Sequence, residues 1–201
     1  MRSHYIKSFF FIALAYGNLG CGSTPSSPKK KPISKPQIKK SEQLTQSGVI
    51  QLGQEMPFFS GWTVNQSTST PFNSAKYFQS KKTQKVKHFV VSLCASWCAP
   101  CKEGLKRLKK KKRLFKKKKV DILVLIADQK ENAQALFDQY GFKGATFIVD
   151  PFETYALKFS PGESKRQLVL PKTFVLDQKA HVKRIIGKEG KDWIHLLTHL
   201  K

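Results

Sequence analysis

Residues 90–101 read Val90-Val91-Ser92-Leu93-Cys94-Ala95-Ser96-Trp97-Cys98-Ala99-Pro100-Cys101, and this stretch decides the fold. Its first half closes the near-continuous apolar run Val86 to Leu93 (VKHFVVSL), the pattern of a central strand buried on both faces. Its second half opens a segment of helix formers from 98 to about 115, with apolar positions at Leu105, Leu108 and Phe115. A second buried-strand run, Val120 to Ala127 (VDILVLIA), follows. Strand, helix, strand in that order predicts a parallel βαβ unit with the Cys98–Cys101 pair at the strand-to-helix turn.

That position carries chemistry. A thiol at a helix N-terminus meets unpaired backbone N–H groups and the positive end of the helix dipole, which stabilise its thiolate. Cys98 is therefore the expected nucleophile. Positions i and i+3 share a helix face, so Cys101 can reach the Cys98 sulfur and resolve a mixed disulfide. Pro100 falls in the first turn, where its missing donor costs little. Zinc sites also use C-x-x-C, but they need a second ligand pair, and the five histidines are scattered at 4, 88, 181, 195 and 199. The sequence thus points to redox chemistry with no metal and no cofactor.

Outward from this unit, a helix is predicted over Glu131 to Tyr140, stopped by Gly141, then a strand at Thr146 to Val149. Lys172 to Leu176 and Val182 to Ile186 flank Asp177-Gln178-Lys179-Ala180, as in an antiparallel hairpin. Asp192 to Leu200 reads as a short amphipathic helix. The class is α/β, with a mixed central sheet and helices on both faces, over residues 49–201.

The N-terminal quarter differs in kind. Arg2 and Lys7 precede the short apolar run Phe9 to Tyr16 (FFFIALAY), so residues 1–20 read as an export signal too short to span a bilayer. The junction Gly17-Asn18-Leu19-Gly20-Cys21 resembles a bacterial lipobox, which implies acylation of Cys21. Asn18 stands where such motifs usually carry Leu, and an ordinary cleaved signal beside an unrelated cysteine is the alternative. Residues 21–48, rich in Pro, Ser, Lys and Gln, read as a disordered tether. The Lys clusters at 29–31 and 39–40 either face an anionic membrane or only keep the tether extended.

The 201 residues suffice for one domain plus such leaders, and 40% hydrophobic content suffices for a packed core. Three of the four cysteines fall within eight residues, which excludes the spaced disulfide framework of a small secreted fold. The net charge of +24 points to anionic neighbours without choosing among them. Much of it lies in Lys106 to Lys119 (KRLKKKKRLFKKKK). This run is either a solvated helix face or a docking patch for anionic lipid, envelope polymer or acidic protein. It lacks interleaved aromatics and is poor in Arg, which disfavours nucleic acid.

The stretch VVSLCASWCAPC resembles the active-site strand and turn of thioredoxin-like proteins, above all the exported TlpA/ResA group. Leu170-Pro171-Lys172-Thr173-Phe174-Val175-Leu176-Asp177 resembles that group's cis-proline loop and strand, and Gly53 to Phe59 (GQEMPFF) its upstream context. The resemblance covers about residues 49–201. It implies a thioredoxin-like three-layer α/β/α sandwich and a thiol–disulfide oxidoreductase tethered in the cell envelope, facing the periplasm or extracytoplasmic space. Pro171 would be cis and face the Cys98 sulfur, and the Leu170 backbone would pair with an extended partner. Trp97, Pro100, Leu170 and Pro171 would shape the contact surface. Ala99-Pro100 lacks the His that oxidants of the superfamily place between the cysteines. That favours a reductant of disulfides in exported proteins, such as apocytochromes c, supplied with electrons by a membrane partner.

The sequence departs from the pattern in places. Ser92 stands where thioredoxins hold a buried Asp, so the acceptor of the Cys101 proton is open. Lys106 replaces a helix-kinking Pro, and Gly104 costs about 1 kcal/mol relative to Ala. Cys94 occupies a position commonly Trp and is read as a small buried hydrophobe. The alternative is a copper-delivery protein resembling the Sco group, with Cys94, Cys98 and His181 as ligands.

Overall fold

The structure is a computed structural model describing residues 50–65, 69–80, 83–160, 162, 168–187 and 195. The signal, Cys21, the tether and, apart from His195, the C-terminal helix lie outside the described residues. Strands β1 (Ser60–Val64), β2 (Pro71–Asn73), β3 (His88–Cys94), β4 (Val120–Ile126), β5 (Ala145–Val149), β6 (Lys172–Asp177) and β7 (Val182–Ile186) form one sheet. Its order is β2-β1-β5-β4-β3-β6-β7. The three central strands β3, β4 and β5 run parallel, and every other pairing is antiparallel. Helices α2 (Ala99–Lys117) and α3 (Lys130–Tyr140) make the two crossovers, and α1 (Ser74–Phe78) and α4 (Thr154–Lys158) are single short turns.

Side-chain alternation along β3 divides the core. Val90 and Cys94 pack with Leu105, Leu108 and Phe115 of α2 and Ala133 and Leu136 of α3. Phe89, Val91 and Leu93 point to the opposite face, against Phe59, Phe72 and Phe159, with Tyr77 of α1 and Tyr155 of α4 at its margin. Helices therefore cover both faces, and the sandwich is the expected one. Each fully buried Leu or Phe of the α2 stripe contributes about 1.5–3 kcal/mol.

The predicted elements return with shifted ends. β3 begins at His88, because the Val86 N–H is taken by the Thr83 carbonyl and the Lys87 N–H by Lys119. α2 continues to Lys117 instead of about 115, and β5 starts one residue early. Gly141 ends α3 as expected: its N–H donates to the Phe137 carbonyl at 2.6 Å, and a Cβ would lie only 2.5 Å from that oxygen. The segment Gly53 to Phe59 clips onto the far hairpin through Gly53 N–H to Val182 O and Met56 N–H to Ala180 O. β1, β2, α1 and α4 were not predicted.

Candidate active site

The carboxyl ends of β3, β4 and β5 lie side by side, with Cys94 paired to Ile126 and Ile126 to Val149. Just beyond them the chain turns through Ala95, Ser96 and Trp97 into α2. Cys98 is the N-cap of that helix, in extended conformation (φ −84°, ψ 97°), and Pro100 sits in its first turn. Cys98 and Cys101 form a disulfide, S–S 2.03 Å, with Cα atoms 5.3 Å apart. The Cys101 backbone N–H donates to the Cys98 sulfur at 3.2 Å. The helix terminus thus presents a donor to the sulfur expected to carry negative charge.

In this oxidised pair both cysteines are buried: Cys98 is 3% exposed and Cys101 2%. Both belong to the core cluster, whereas Trp97 beside them is 59% exposed. Ala99 and Pro100 are exposed as well. The Leu170–Pro171 peptide bond is cis, as expected. Lys172, the next residue, pairs with Leu93 of β3, which brings the cis-proline loop to the end of the sheet that carries the dithiol. Leu170 packs against the cluster that holds both site cysteines.

Cys94 takes no part in a disulfide and is buried in that cluster, the place expected of a small hydrophobe. The copper set is not brought together. His181 lies in the β6–β7 turn, where Asp177 pairs with His88 at the opposite end of β3. The intervening six residues span about 20 Å at ~3.3 Å per residue. His181 Nδ1 instead lies 3.5 Å from the Asp177 carboxylate, and its backbone N–H donates to that carboxylate at 2.9 Å. Ser92, at the place of the family's buried Asp, is buried on the dithiol face and accepts a hydrogen bond from the Thr173 hydroxyl at 3.2 Å.

Asp128 was not singled out in the sequence, yet it braces the active-site turn. One carboxylate oxygen accepts the Ser96 N–H at 3.1 Å and a short hydrogen bond from the Ser96 hydroxyl. The other accepts the Gln129 N–H and Asn132 Nδ2, both at 2.8 Å. Gln129 Nε2 extends the chain of contacts to the Pro151 carbonyl at 3.2 Å, so three adjacent loops are linked. Burial pushes the Asp128 carboxyl up, but the bonds from Ser96, Asn132 and Gln129 outweigh it and hold the group below its ordinary value. The only signal in the sequence is an acid directly after a strand and before a helix, which is also an ordinary helix-start pattern.

Sheet order, cis-proline loop and a disulfide at a helix N-terminus together define a thioredoxin-like protein. A model of the AhpC/TSA family matches residues 52–185, and the chain belongs to that family. Similar solved structures include a protein described as the thiol:disulfide interchange protein DsbE of Chlorobium tepidum, at 16% identity over 74% of this chain and 95% of that one, TM-score 0.54. The thioredoxin domain of a thiol-disulfide oxidoreductase of Bacteroides vulgatus is 15% identical over 74% and 96%, TM-score 0.55. The reduced 2-Cys peroxiredoxin of Plasmodium vivax is 17% identical over 73% and 79%, TM-score 0.56. No curated protein matches the sequence.

Proposed function

We propose that the protein is a membrane-tethered thiol–disulfide oxidoreductase of the TlpA/ResA kind that reduces disulfides in exported proteins, apocytochromes c among them. The observation that carries this reading is the Cys98–Cys101 pair at the start of α2, with the Cys101 N–H on the Cys98 sulfur. In the reduced form the Cys98 thiolate attacks one sulfur of a substrate disulfide. A Cys98–substrate disulfide forms and the other substrate sulfur leaves as a thiolate, which takes up a proton. Cys101, deprotonated, then attacks the Cys98 sulfur, closes the internal disulfide and releases the second substrate thiolate. Two electrons pass from the protein dithiol to the substrate, and a dithiol donor at the membrane restores the reduced form. Trp97, Pro100, Leu170 and Pro171 form the contact surface around the attacked bond, and the Leu170 backbone takes an extended partner segment. Acylated Cys21 and the tether hold the domain at an extracytoplasmic membrane face.

The reading is tested with the reduced protein on a disulfide-bonded substrate. Wild type should turn the substrate over, Cys98→Ser should be inactive, and Cys101→Ser should accumulate mixed disulfides on non-reducing gels while Cys98→Ser accumulates few. A reduction potential near about −270 mV supports a reductant, and one near about −120 mV overturns that direction. Peroxide consumption in place of disulfide turnover would overturn the activity itself.

A further inference from the structure

The long crossover helix carries a second feature that dithiol chemistry does not use. The buried stripe of α2 is Cys101, Gly104, Leu105, Leu108 and Phe115. From Lys106 to Lys119 every residue except Leu108, Leu114 and Phe115 is Lys or Arg, and Glu103 is the only acid on the helix. Lys109 to Arg113, Lys116 and Lys117 are exposed. Among the described residues, no carboxylate lies within ion-pair reach of Lys111, Lys112, Arg113, Lys116 or Lys117.

Two local rules are broken to keep this charge. Lys106–Lys110, Arg107–Lys111, Lys109–Arg113, Lys112–Lys116 and Arg113–Lys117 are like-charged pairs at i and i+4, which destabilise a helix. Lys119 closes the helix at φ 58°, a backbone region that glycine or asparagine fills more readily. The helix dipole accounts only for cations in the last turn, Lys116 and Lys117. Exposed Lys85 and Lys87 join the same end, with the Lys87 N–H on the Lys119 carbonyl at 2.8 Å. The amino ends of β3 and β4 therefore form a cationic pole, and the dithiol sits at their carboxyl ends.

We infer that this pole docks the domain on an anionic lipid surface and holds the dithiol facing away from it. The chemistry favours lipid head groups over a single acidic protein. The charge is spread around an exposed helix and its tip, and it is nearly all Lys, a hydrated point charge suited to a diffuse potential. A protein acceptor of fixed carboxylates would be matched better by Arg forks. The span from Cys98 to Lys117 is about 28 Å at ~1.5 Å per residue, so a docked pole leaves the redox end clear for substrates.

The test uses the full chain with Cys21→Ser, which removes acylation from the comparison, and vesicles of phosphatidylglycerol with phosphatidylcholine against phosphatidylcholine alone. The parent chain should sediment with the anionic vesicles, less so as salt rises. Changing Lys110, Lys111, Lys112, Lys116 and Lys117 to Gln should weaken that partitioning by roughly a thousandfold or more. The same variant should keep the parent's disulfide turnover and an equal or higher Tm, which excludes misfolding. On vesicles, a membrane-impermeant alkylating reagent should label reduced Cys98 as fast as in solution. Equal partitioning of the two chains would overturn the inference by assigning binding to the N-terminal segment. Protection of Cys98 on vesicles would overturn the orientation. Failure of the parent to bind anionic vesicles, with retention on an acidic polypeptide matrix lost in the variant, would replace lipid by an acidic protein.

Discussion

The two ends of α2 show how one helix serves unrelated tasks. Its first turn is governed by directional contacts: a capping cysteine, an N–H on sulfur at 3.2 Å, and the Asp128 carboxylate, which holds Ser96 two residues upstream of the cap. Its last three turns are governed by charge, and among the described residues no carboxylate lies within ion-pair reach of Lys111, Lys112, Arg113, Lys116 or Lys117. Contacts of the first kind fall off within a turn of the helix, and charge of the second kind is screened within ~8 Å at physiological salt. Separation along the axis therefore isolates chemistry from encounter. What joins the two ends is the apolar stripe between them.

The largest expected effect is on that stripe. Phe115 is 1% exposed in the charged half, under the lysines. Phe115→Ala should lower the unfolding free energy by about 3–5 kcal/mol in denaturant titration. An exposed change nearby, Lys112→Ala, should stay within about 0.5 kcal/mol. A loss below about 1 kcal/mol at Phe115 would mean that the charged half is undocked, and the helix would no longer act as a fixed spacer.

The stripe was also what made the fold legible. β3, β4 and α2 were readable because long apolar runs and a 3.6 period leave little choice of burial. The turn chemistry was readable because Cys98, Pro100 and Cys101 have narrow uses at a helix start, and Pro171 because the resemblance supplied its context. β1 and β2 were not readable. Ser60–Val64 is mostly half-buried, and β2 is three residues at an edge beginning with a proline. α1 and α4, at five residues each, are too short to show a period. Asp128 was missed for a different reason, since its role depends on Ser96 lying 32 positions earlier. The distance from His181 to Cys94 was hidden in the same way, because only the β3–β6 register sets it.

Asp128 gives a smaller effect that sharpens the directional side of the comparison. Its folded pKa lies below the ordinary value, since the Ser96, Asn132 and Gln129 bonds outweigh burial. A depressed carboxyl contributes stability that is complete above the unfolded pKa of about 3.9 and is lost as pH falls through the folded value. Asp128→Asn should therefore cost about 1 kcal/mol at pH 7, and the difference from wild type should shrink as pH drops below about 4. A gap that stays constant down to pH 2, measured by denaturant unfolding, would assign the loss to packing instead of charge.

The smallest effect tests whether the two ends are independent. Lys109 is eleven residues beyond Cys98, about 16 Å at ~1.5 Å per residue, and the other lysines of the run's centre and end lie farther. One charge at about 16 Å in water contributes roughly 0.26 kcal/mol before screening. Two screening lengths reduce that to about 0.04 kcal/mol, so five such charges supply about 0.2 kcal/mol. In thiolate population this is a factor of about 1.4. Changing Lys110, Lys111, Lys112, Lys116 and Lys117 to Gln should thus leave the rate of iodoacetamide reaction at reduced Cys98 within about twofold in 0.15 M salt. At about 0.01 M salt, where the screening length is about 30 Å, the two rates should separate further, with the parent faster. A tenfold drop at 0.15 M would show that the lysines tune the thiol through the helix, and the division between chemistry at one end and encounter at the other would fail.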